Sequence, residues 1–217
     1  MLAVIFGLSA CTFDEAGSLK NCWISLATIQ STQSQGVMTV QLDNGTSAVV
    51  TDITTSGFNA TVGERVLINY TLESDSLNAH SPRKIKINAI SDVAIKEIGA
   101  LTTANADSLG NDPVTIEKIW LGGTYLNVSF QYYGSKGTHL FSMAQNDTTK
   151  TTNDGKLHLV FTHNANGDND DTQEEGVISF NIKQLITKLQ ASPTQIIIEA
   201  KNYAGNVIQY ELAYTAQ

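Results

Sequence analysis

The most conspicuous candidate for chemistry is an acidic segment at residues 164–175, which has five carboxylates and no basic residue. Oxygen donors recur there at every second position, an arrangement that could wrap a hard cation such as calcium. The spacing is not that of an EF-hand loop, because the glycine comes early and no helical pattern flanks the segment. The alternative is a solvated hairpin tip in which Asn, Asp and Gly serve only as turn residues. The candidate calcium ligands are Asn164, Asn166, Asp168, Asp170 and Glu175.

Histidines are the second candidate for chemistry, because their ring nitrogens bind zinc. The chain has four, namely His80, His139, His158 and His163. His158 and His163 fall on one predicted strand with their side chains on opposite faces, and His139 belongs to a strand that could approach either. A zinc site needs three or four converging ligands, and this spacing enforces none. We therefore expect hydrogen-bonded or exposed histidines and no zinc centre.

Aromatic residues form a third candidate site in the second half of the chain. Trp120 and Tyr125 flank a Gly-Gly turn, and Tyr132 and Tyr133 are adjacent, so one of these two should face outward. A row of exposed rings could stack on a sugar or on a peptide. The alternative is that the rings form the core and rim of a β-sandwich. The candidate ligand-binding residues are Trp120, Tyr125, Tyr132 and Tyr133.

Motifs and charge exclude several classes of function. The sequence contains no Gly-x-Ser-x-Gly elbow, no His-Glu-x-x-His, no phosphate-binding loop and no dinucleotide fingerprint. We therefore expect no enzyme activity and no cofactor, with calcium as the one open alternative. The 13 basic and 21 acidic side chains give a net charge of −8. A nucleic-acid-binding protein needs the opposite sign, so we expect no nucleic-acid partner.

The N-terminus points to a membrane anchor. Residues 1–8 are almost wholly apolar, too short to span a bilayer but suited to the core of a signal peptide. Leu8-Ser9-Ala10-Cys11 resembles a bacterial lipobox, whose cysteine thiol takes a diacylglyceryl chain, although no basic residue opens the segment. The alternative is a buried N-terminal strand with a core cysteine. Residues 1–11 are thus expected to be the lipoprotein signal and lipobox, with Cys11 lipidated.

An acylated Cys11 would hold the protein stably to a membrane. Residues 12–21 would then be a short polar tether. This anchor predicts an outer-membrane lipoprotein of the cell envelope, periplasmic or surface-exposed. The second cysteine, Cys22, begins an apolar run beside Trp23, so we expect a buried structural thiol there.

The elements that would position these residues are β-strands. Short apolar or alternating runs are separated by Gly, Asn and Asp, which is typical of an all-β protein. Five such runs between residues 23 and 93 predict a small barrel over residues 22–98, such as an OB-like one. The pattern alone does not choose the OB type over other small barrels. Asp43-Asn44-Gly45 predicts a tight hairpin, because Asn-Gly accepts positive φ at little cost.

Seven further runs between residues 114 and 214 predict an immunoglobulin-like β-sandwich over residues 99–217. A polar, turn-rich segment at 99–113 suggests that the domain boundary lies near its start. Residues 182–189 place apolar side chains at i, i+3, i+4 and i+7, which predicts one short amphipathic helix.

Several stretches support a family resemblance that runs in one order from about Trp23 to the C-terminus. They are residues 42–46, 63–70, 104–114, 119–128 and 159–165. The most specific are Asn-Asp-Pro at 111–113 and Trp-x-Gly-Gly-x-Tyr-Leu-Asn at 120–127. In these stretches the chain resembles the NigD-like lipoproteins of Bacteroides- and Prevotella-type bacteria.

The resemblance implies an N-terminal OB-like domain, a C-terminal β-sandwich and a lipoprotein location. It also implies a link to bacteriocin production or immunity, because the family is named after a bacteriocin gene neighbourhood. No catalytic residues are established for the family, so none are carried over. We expect an envelope-anchored binding or accessory factor whose partner is an envelope protein or a glycan. The alternative is a carbohydrate- or peptide-binding module that uses the sandwich aromatics.

Overall fold

The structure is a computed structural model that describes residues 22–33, 36–74, 83–146, 155–188 and 194–215. The predicted lipobox with Cys11, the predicted tether and His80 lie outside the described residues. Within the described ranges, the two helices are too short to span a bilayer.

The first unit is a closed five-stranded barrel. Its strands follow the order β1-β2-β3-β5-β4, with β4 returning to β1. The β3–β5 pair is parallel and the other pairs are antiparallel. This is the Greek-key barrel of the OB type, so the prediction of a small OB-like barrel is confirmed. The strands are β1 (Cys22–Ser31), β2 (Thr39–Leu42), β3 (Ser47–Ile53), β4 (Arg65–Ser74) and β5 (Arg83–Asp92).

The predicted hairpin joins β2 to β3. Gly45 adopts φ 83°, which an L side chain tolerates poorly. The Asn44 side-chain oxygen accepts the N–H of Thr46 at 3.0 Å. These two residues close the turn as the Asn-Gly signal predicts, and they place the Asp43 carboxylate beside the barrel wall.

A buried ion pair fixes that turn to β4. Arg65 is 2% exposed, and its guanidinium donates to both carboxylate oxygens of Asp43, at 2.7 and 3.0 Å. A further hydrogen bond runs from Arg65 to the Thr28 hydroxyl on β1 at 3.1 Å. This bidentate geometry pairs the guanidinium and the carboxylate where water has little access.

The prediction of a buried Cys22 is wrong. Cys22 is exposed, and the next two residues, Trp23 and Ile24, are 55% and 57% exposed. The first buried residues of β1 are Leu26 and Ala27. The apolar run therefore begins before the strand enters the core, which its composition could not reveal.

The second unit is a sandwich of two sheets. One sheet has the order β14-β13-β11-β10-β7 and the other β6-β12-β9-β8. The predicted β-sandwich is confirmed, with nine strands instead of seven. Its strands are β6 (Ala94–Glu97), β7 (Gly99–Leu101), β8 (Thr115–Gly122), β9 (Tyr125–Tyr133), β10 (Leu140–Asn146), β11 (Lys156–Asn164), β12 (Gln173–Asn181), β13 (Gln195–Lys201) and β14 (Val207–Ala213).

Alternation along the strands builds the sandwich core. On β9, Leu126, Val128 and Phe130 point inward, and on β11 Leu157 and Leu159 do the same. The predicted helix is present as α2 (Lys183–Lys188), whose Leu185 and Ile186 pack against this core. A second helix of one turn, α1 (Ala106–Leu109), was not predicted.

The second unit begins before the predicted 98/99 boundary. β6 lies beside β12 in the four-stranded sheet, and the two units separate between Ala94 and Ile95. The Lys96 ammonium donates to the Phe141 carbonyl on β10 at 2.6 Å and so links the two sheets. Burial lowers the pKa of Lys96. Strands of three or four residues such as β6 and β7 leave almost no periodic signal in sequence.

The Arg65–Asp43 pair generates a stability prediction. We expect Asp43→Ala to lower the free energy of unfolding by about 3 kcal/mol, because it leaves a buried guanidinium uncompensated. Asp52→Ala is the matched control, since its partner Lys86 lies 2.9 Å away and both side chains are substantially exposed. That control should change stability little. Urea denaturation followed by circular dichroism makes the comparison, and equal effects of the two variants would contradict the expectation.

Candidate functional site

Four connections meet at one end of the sandwich, which we call the histidine end after His139 and His163. They are residues 110–114, 134–139, 165–172 and 202–206. Main-chain hydrogen bonds of 2.8 to 2.9 Å join them to one another and to the strand ends. These bonds run from Gly134 to Thr172, from Asp112 to His163 and from Val114 to Lys201.

A chain of side-chain hydrogen bonds runs through this end. The Pro113 carbonyl lies 3.0 Å from His163 Nδ1. His163 Nε2 lies 2.8 Å from His139 Nδ1, and His139 Nε2 lies 3.4 Å from Asp168 Oδ2. A carbonyl only accepts, so His163 Nδ1 holds a proton. When His163 is neutral, its Nε2 accepts a hydrogen bond from the N–H of His139 Nδ1.

With an N–H at every link, the hydrogen-bonded chain from Pro113 to Asp168 requires one proton more than two neutral imidazole rings hold. The Pro113 carbonyl, the contact between the rings and the Asp168 carboxylate each require an N–H, which makes three. Two neutral rings supply two. An N–H at all three links would give the pair one positive charge beside the Asp168 carboxylate.

Aromatic packing surrounds the two rings. His163 is 2% exposed and stacks on Phe141 with the ring centroids 4.5 Å apart. Tyr132 contacts the His139 ring at 4.7 Å. Burial lowers the pKa of His163 below its ordinary 6.5, and the nearby charge of His139 lowers it further, against the opposing effects of the Pro113 carbonyl and Asp112. His163 is therefore the ring of the pair that resists protonation.

Asp168 organises the neighbouring turn. Its Oδ2 accepts the N–H groups of Lys136 and Gly137 at 2.7 and 2.6 Å, and its Oδ1 accepts that of Asp170 at 3.0 Å. These N–H groups, that of Asp170 foremost, hold the pKa of the Asp168 carboxyl far below its ordinary range. The side chain is 4% exposed, so the carboxylate acts inside the turn.

Two glycines allow this close packing. Gly134 has φ 137°, and a Cβ there would overlap the His139 ring. Gly110 has φ 77°, and a Cβ there would overlap the His163 carbonyl and Asn164. The backbone at both positions therefore requires glycine for its conformation and for space.

The predicted calcium ligands are engaged in hydrogen bonds. Asn164 Oδ1 accepts the N–H of Asn166 at 2.8 Å. The Asp170 carboxylate pairs with the Lys136 ammonium at 2.7 Å, which lowers the pKa of Asp170. Glu175 lies on β12, where its carboxylate accepts from Gln131 at 3.3 Å. No group of three metal-binding side chains occurs among the described residues, and calcium binding stays a prediction.

The four predicted aromatic residues do not form one surface. Tyr132 is 5% exposed and belongs to the core, whereas Tyr133 is 43% exposed at the histidine end. Trp120 and Tyr125 lie near the turn at the opposite end of β9. Trp120 there contacts the Lys118 ammonium, 5.1 Å from the ring centroid. The sequence did correctly indicate that only one residue of the Tyr132–Tyr133 pair faces outward.

Tyr203 is the residue that sequence reasoning missed. It lies in the turn between β13 and β14 and is 44% exposed. Its ring meets that of Tyr133 edge to face at 5.0 Å, and its hydroxyl accepts the Tyr133 N–H at 3.0 Å. The sequence signal that could have indicated Tyr203 was a lone aromatic residue in a polar turn. We call Tyr133 and Tyr203 the tyrosine pair.

Barrel, sandwich and histidine end together define a class of two-domain, all-β protein. Residues 26–93 match the NigD-like N-terminal OB domain, and residues 97–214 match the NigD-like C-terminal β-sandwich domain. The chain belongs to the NigD-like family. The family resemblance seen in the sequence is thereby confirmed.

Solved structures share this architecture. A candidate toxin-related protein from Parabacteroides distasonis is 26% identical, with a TM-score of 0.72 and coverage of 89% of this chain and 93% of that one. A NigD-like immunity protein from Bacteroides caccae is 20% identical, with a TM-score of 0.65 and coverage of 88% and 96%. A candidate lipoprotein from Bacteroides fragilis is 14% identical, with a TM-score of 0.66 and coverage of 89% and 98%. No curated protein matches the chain significantly.

His163 generates a prediction about pH. Because its folded pKa is lowered, the unfolded chain takes up a proton first as the pH falls below about 6.5. The free energy of unfolding should therefore fall between about pH 7 and pH 5.5, with a contribution from His163 of at most about 1.4 kcal/mol per pH unit. Denaturation curves across this range measure the slope.

The variant for this test is His163→Asn, whose amide can still donate to the Pro113 carbonyl but does not titrate. Its stability should depend less steeply on pH than that of the natural chain. His158→Asn, on the same strand, is the matched control for the loss of a histidine outside the hydrogen-bonded chain. A His163→Asn slope equal to that of the natural chain would show that His163 is not the group responsible.

Proposed function

We propose that this protein is an envelope-anchored, non-catalytic lipoprotein that binds a partner as an accessory factor, of the immunity type, in a bacteriocin system. The supporting comparisons are the family, a solved relative described as a NigD-like immunity protein and another described as toxin-related. Anchoring is supported by the lipobox-like Leu8-Ser9-Ala10-Cys11 and by a relative described as a candidate lipoprotein.

One observation carries the binding hypothesis. At the histidine end, the buried polar groups His163, His139 and Asp168 are used to hold loops in place. What the same end presents to solvent is the tyrosine pair, two half-exposed rings held against each other. A rigid end with exposed aromatic rings is typical of a binding surface, whereas catalysis needs reactive groups that a substrate can reach.

A sensitivity assay tests the proposal. We expect deletion of the gene to increase killing of the host by culture supernatants of related bacteriocin producers, and the natural gene to restore resistance. Cys11→Ala should fail to restore it, because the unlipidated protein leaves the membrane. Cys22→Ala is the matched control, since it removes the other of the two cysteines, and it should restore resistance.

Equal sensitivity of the deletion strain and the natural strain to every supernatant would contradict the immunity role. Equal complementation by Cys11→Ala and the natural chain, with both proteins expressed at the same level, would contradict the need for a lipid anchor.

The tyrosine pair favours a second candidate function, a carbohydrate- or peptide-binding module. Paired aromatic faces stack on sugar rings and on apolar peptide side chains. On this alternative, the purified protein should bind members of a glycan or peptide array, and Tyr203→Ala should abolish the binding. Tyr125→Ala, at the opposite end of β9, is the control and should bind normally. An array with no bound member would remove this alternative.

A further inference from the structure

We propose that the start of β1 docks the barrel onto an anionic lipid surface, beside the lipid anchor. The docking surface, which we call the strand tip, consists of Trp23 and Ile24 with Arg83 and Lys84. This inference rests on the proposed anchoring of the chain at Cys11. It adds a defined contact between the folded barrel and the membrane, which an acyl chain alone does not provide.

Exposure of consecutive residues is the first observation. Cys22, Trp23 and Ile24 are all exposed, although neighbours on a strand point to opposite faces. The beginning of β1 therefore lies outside the barrel core, with an apolar side chain on each of its faces, beside β4, which continues past Cys22 as far as Ser74. At this end of the barrel, both side chains are open to a lipid interface. Tryptophan is the residue that membrane interfaces favour most.

Chain connectivity is the second observation. Only residues 12–21 separate the predicted lipid-bearing Cys11 from Cys22, the first residue of β1. Even fully extended, that length of chain spans at most about 40 Å. Lipidation at Cys11 would thus keep the strand tip close to the membrane, whereas the residues at the far end of β1 would start one strand length further away.

Charge is the third observation. Register places Cys22 beside Thr71 of β4, and Thr71 beside Lys86 of β5, so Lys86 lies two strand spacings, about 10 Å, from the tip. Arg83 and Lys84 lie two to three residues further along β5, at its beginning, and are exposed there. Among the described residues nearby, the acids are Asp52, which pairs with Lys86, and Glu73, which accepts the Thr51 hydroxyl. With Arg83, Lys84 and Lys86, these described residues have three positive and two negative charges in a chain of net charge −8, which favours an anionic leaflet.

Polar side chains beside the strand tip would suit the headgroup region of a bilayer. Asn88 donates to Asn69 at 3.0 Å and to Thr71 at 3.0 Å, and it lies 3.8 Å from Cys22 Sγ. This polar row runs across β1, β4 and β5 at the level of Cys22 and Ile24. Polar side chains beside exposed apolar residues are typical of a protein surface at a membrane interface.

The test uses the two tryptophans of the chain, one near the strand tip and one in the sandwich. The chain from residue 11, with Cys22→Ser, is coupled through Cys11 to a maleimide lipid in vesicles of phosphatidylethanolamine and phosphatidylglycerol that contain brominated lipid. Trp120→Phe leaves Trp23 as the only reporter, and Trp23→Phe leaves Trp120. We expect bromine to quench Trp23 several-fold more strongly than Trp120, because only Trp23 should reach the lipid.

Two further variants sharpen the result, both in the Trp120→Phe background. Ile24→Ser should weaken the quenching of Trp23. Val37→Ser should not, because Val37 is equally exposed at 55% but lies near Ser31, at the far end of β1. Neutral phosphatidylcholine vesicles, and the double variant Arg83→Gln with Lys84→Gln, should also reduce the quenching.

Equal quenching of Trp23 and Trp120 would overturn the proposal. It would also be overturned if, without vesicles, the fluorescence emission of Trp23 shifted to the blue as the protein concentration rose. Such a shift would indicate pairing between copies of the chain. Equal quenching in neutral and anionic vesicles would overturn the claim of an anionic surface. Chemical coupling makes this result independent of natural lipidation. The mass of the protein extracted from cells separately reports whether Cys11 is acylated, so failure of the anchor and failure of the docking are distinguishable.

Discussion

The hydrogen-bonded chain from the Pro113 carbonyl through His163 and His139 to Asp168 is the interaction on which the sandwich end depends. It joins three connections that are far apart in sequence, since His163 lies 50 residues from Pro113 and 24 from His139. Each link is at least partly buried, and a buried polar group without its partner is costly. Because every link fixes the proton position of the next, the three connections can adopt their geometry only together.

The same end of the sandwich contains both enclosed and exposed groups. His139, His163 and Asp168 are enclosed in the hydrogen-bonded chain, whereas the tyrosine pair formed by Tyr133 and Tyr203 is exposed to solvent. In the barrel, the Arg65–Asp43 pair has the corresponding role, because it fixes the β2–β3 turn to the wall. Both units thus use buried charge to hold loops, and both leave apolar side chains exposed at defined places.

Sequence patterns predicted what is local. Alternation predicted the barrel strands, Asn44-Gly45 predicted the hairpin, and the 3.6-residue period predicted α2. They missed β6 and β7, which are too short to show a period, and the exposure of Cys22, because an apolar run does not say where the core begins. The candidate site was the least predictable part. His139, His163 and Asp168 were each singled out, but the contact between them depends on strand pairing across the sheet.

The tautomeric state of His163 tests the account most directly. An NMR spectrum that correlates the ring nitrogens with the ring protons near neutral pH reads which nitrogen holds the proton. The account predicts that His163 is neutral and protonated at Nδ1, bonded to the Pro113 carbonyl, while Nε2 accepts from His139. A neutral His163 protonated at Nε2 would contradict it, because the Pro113 link would then be broken and the chain would not hold the connections together.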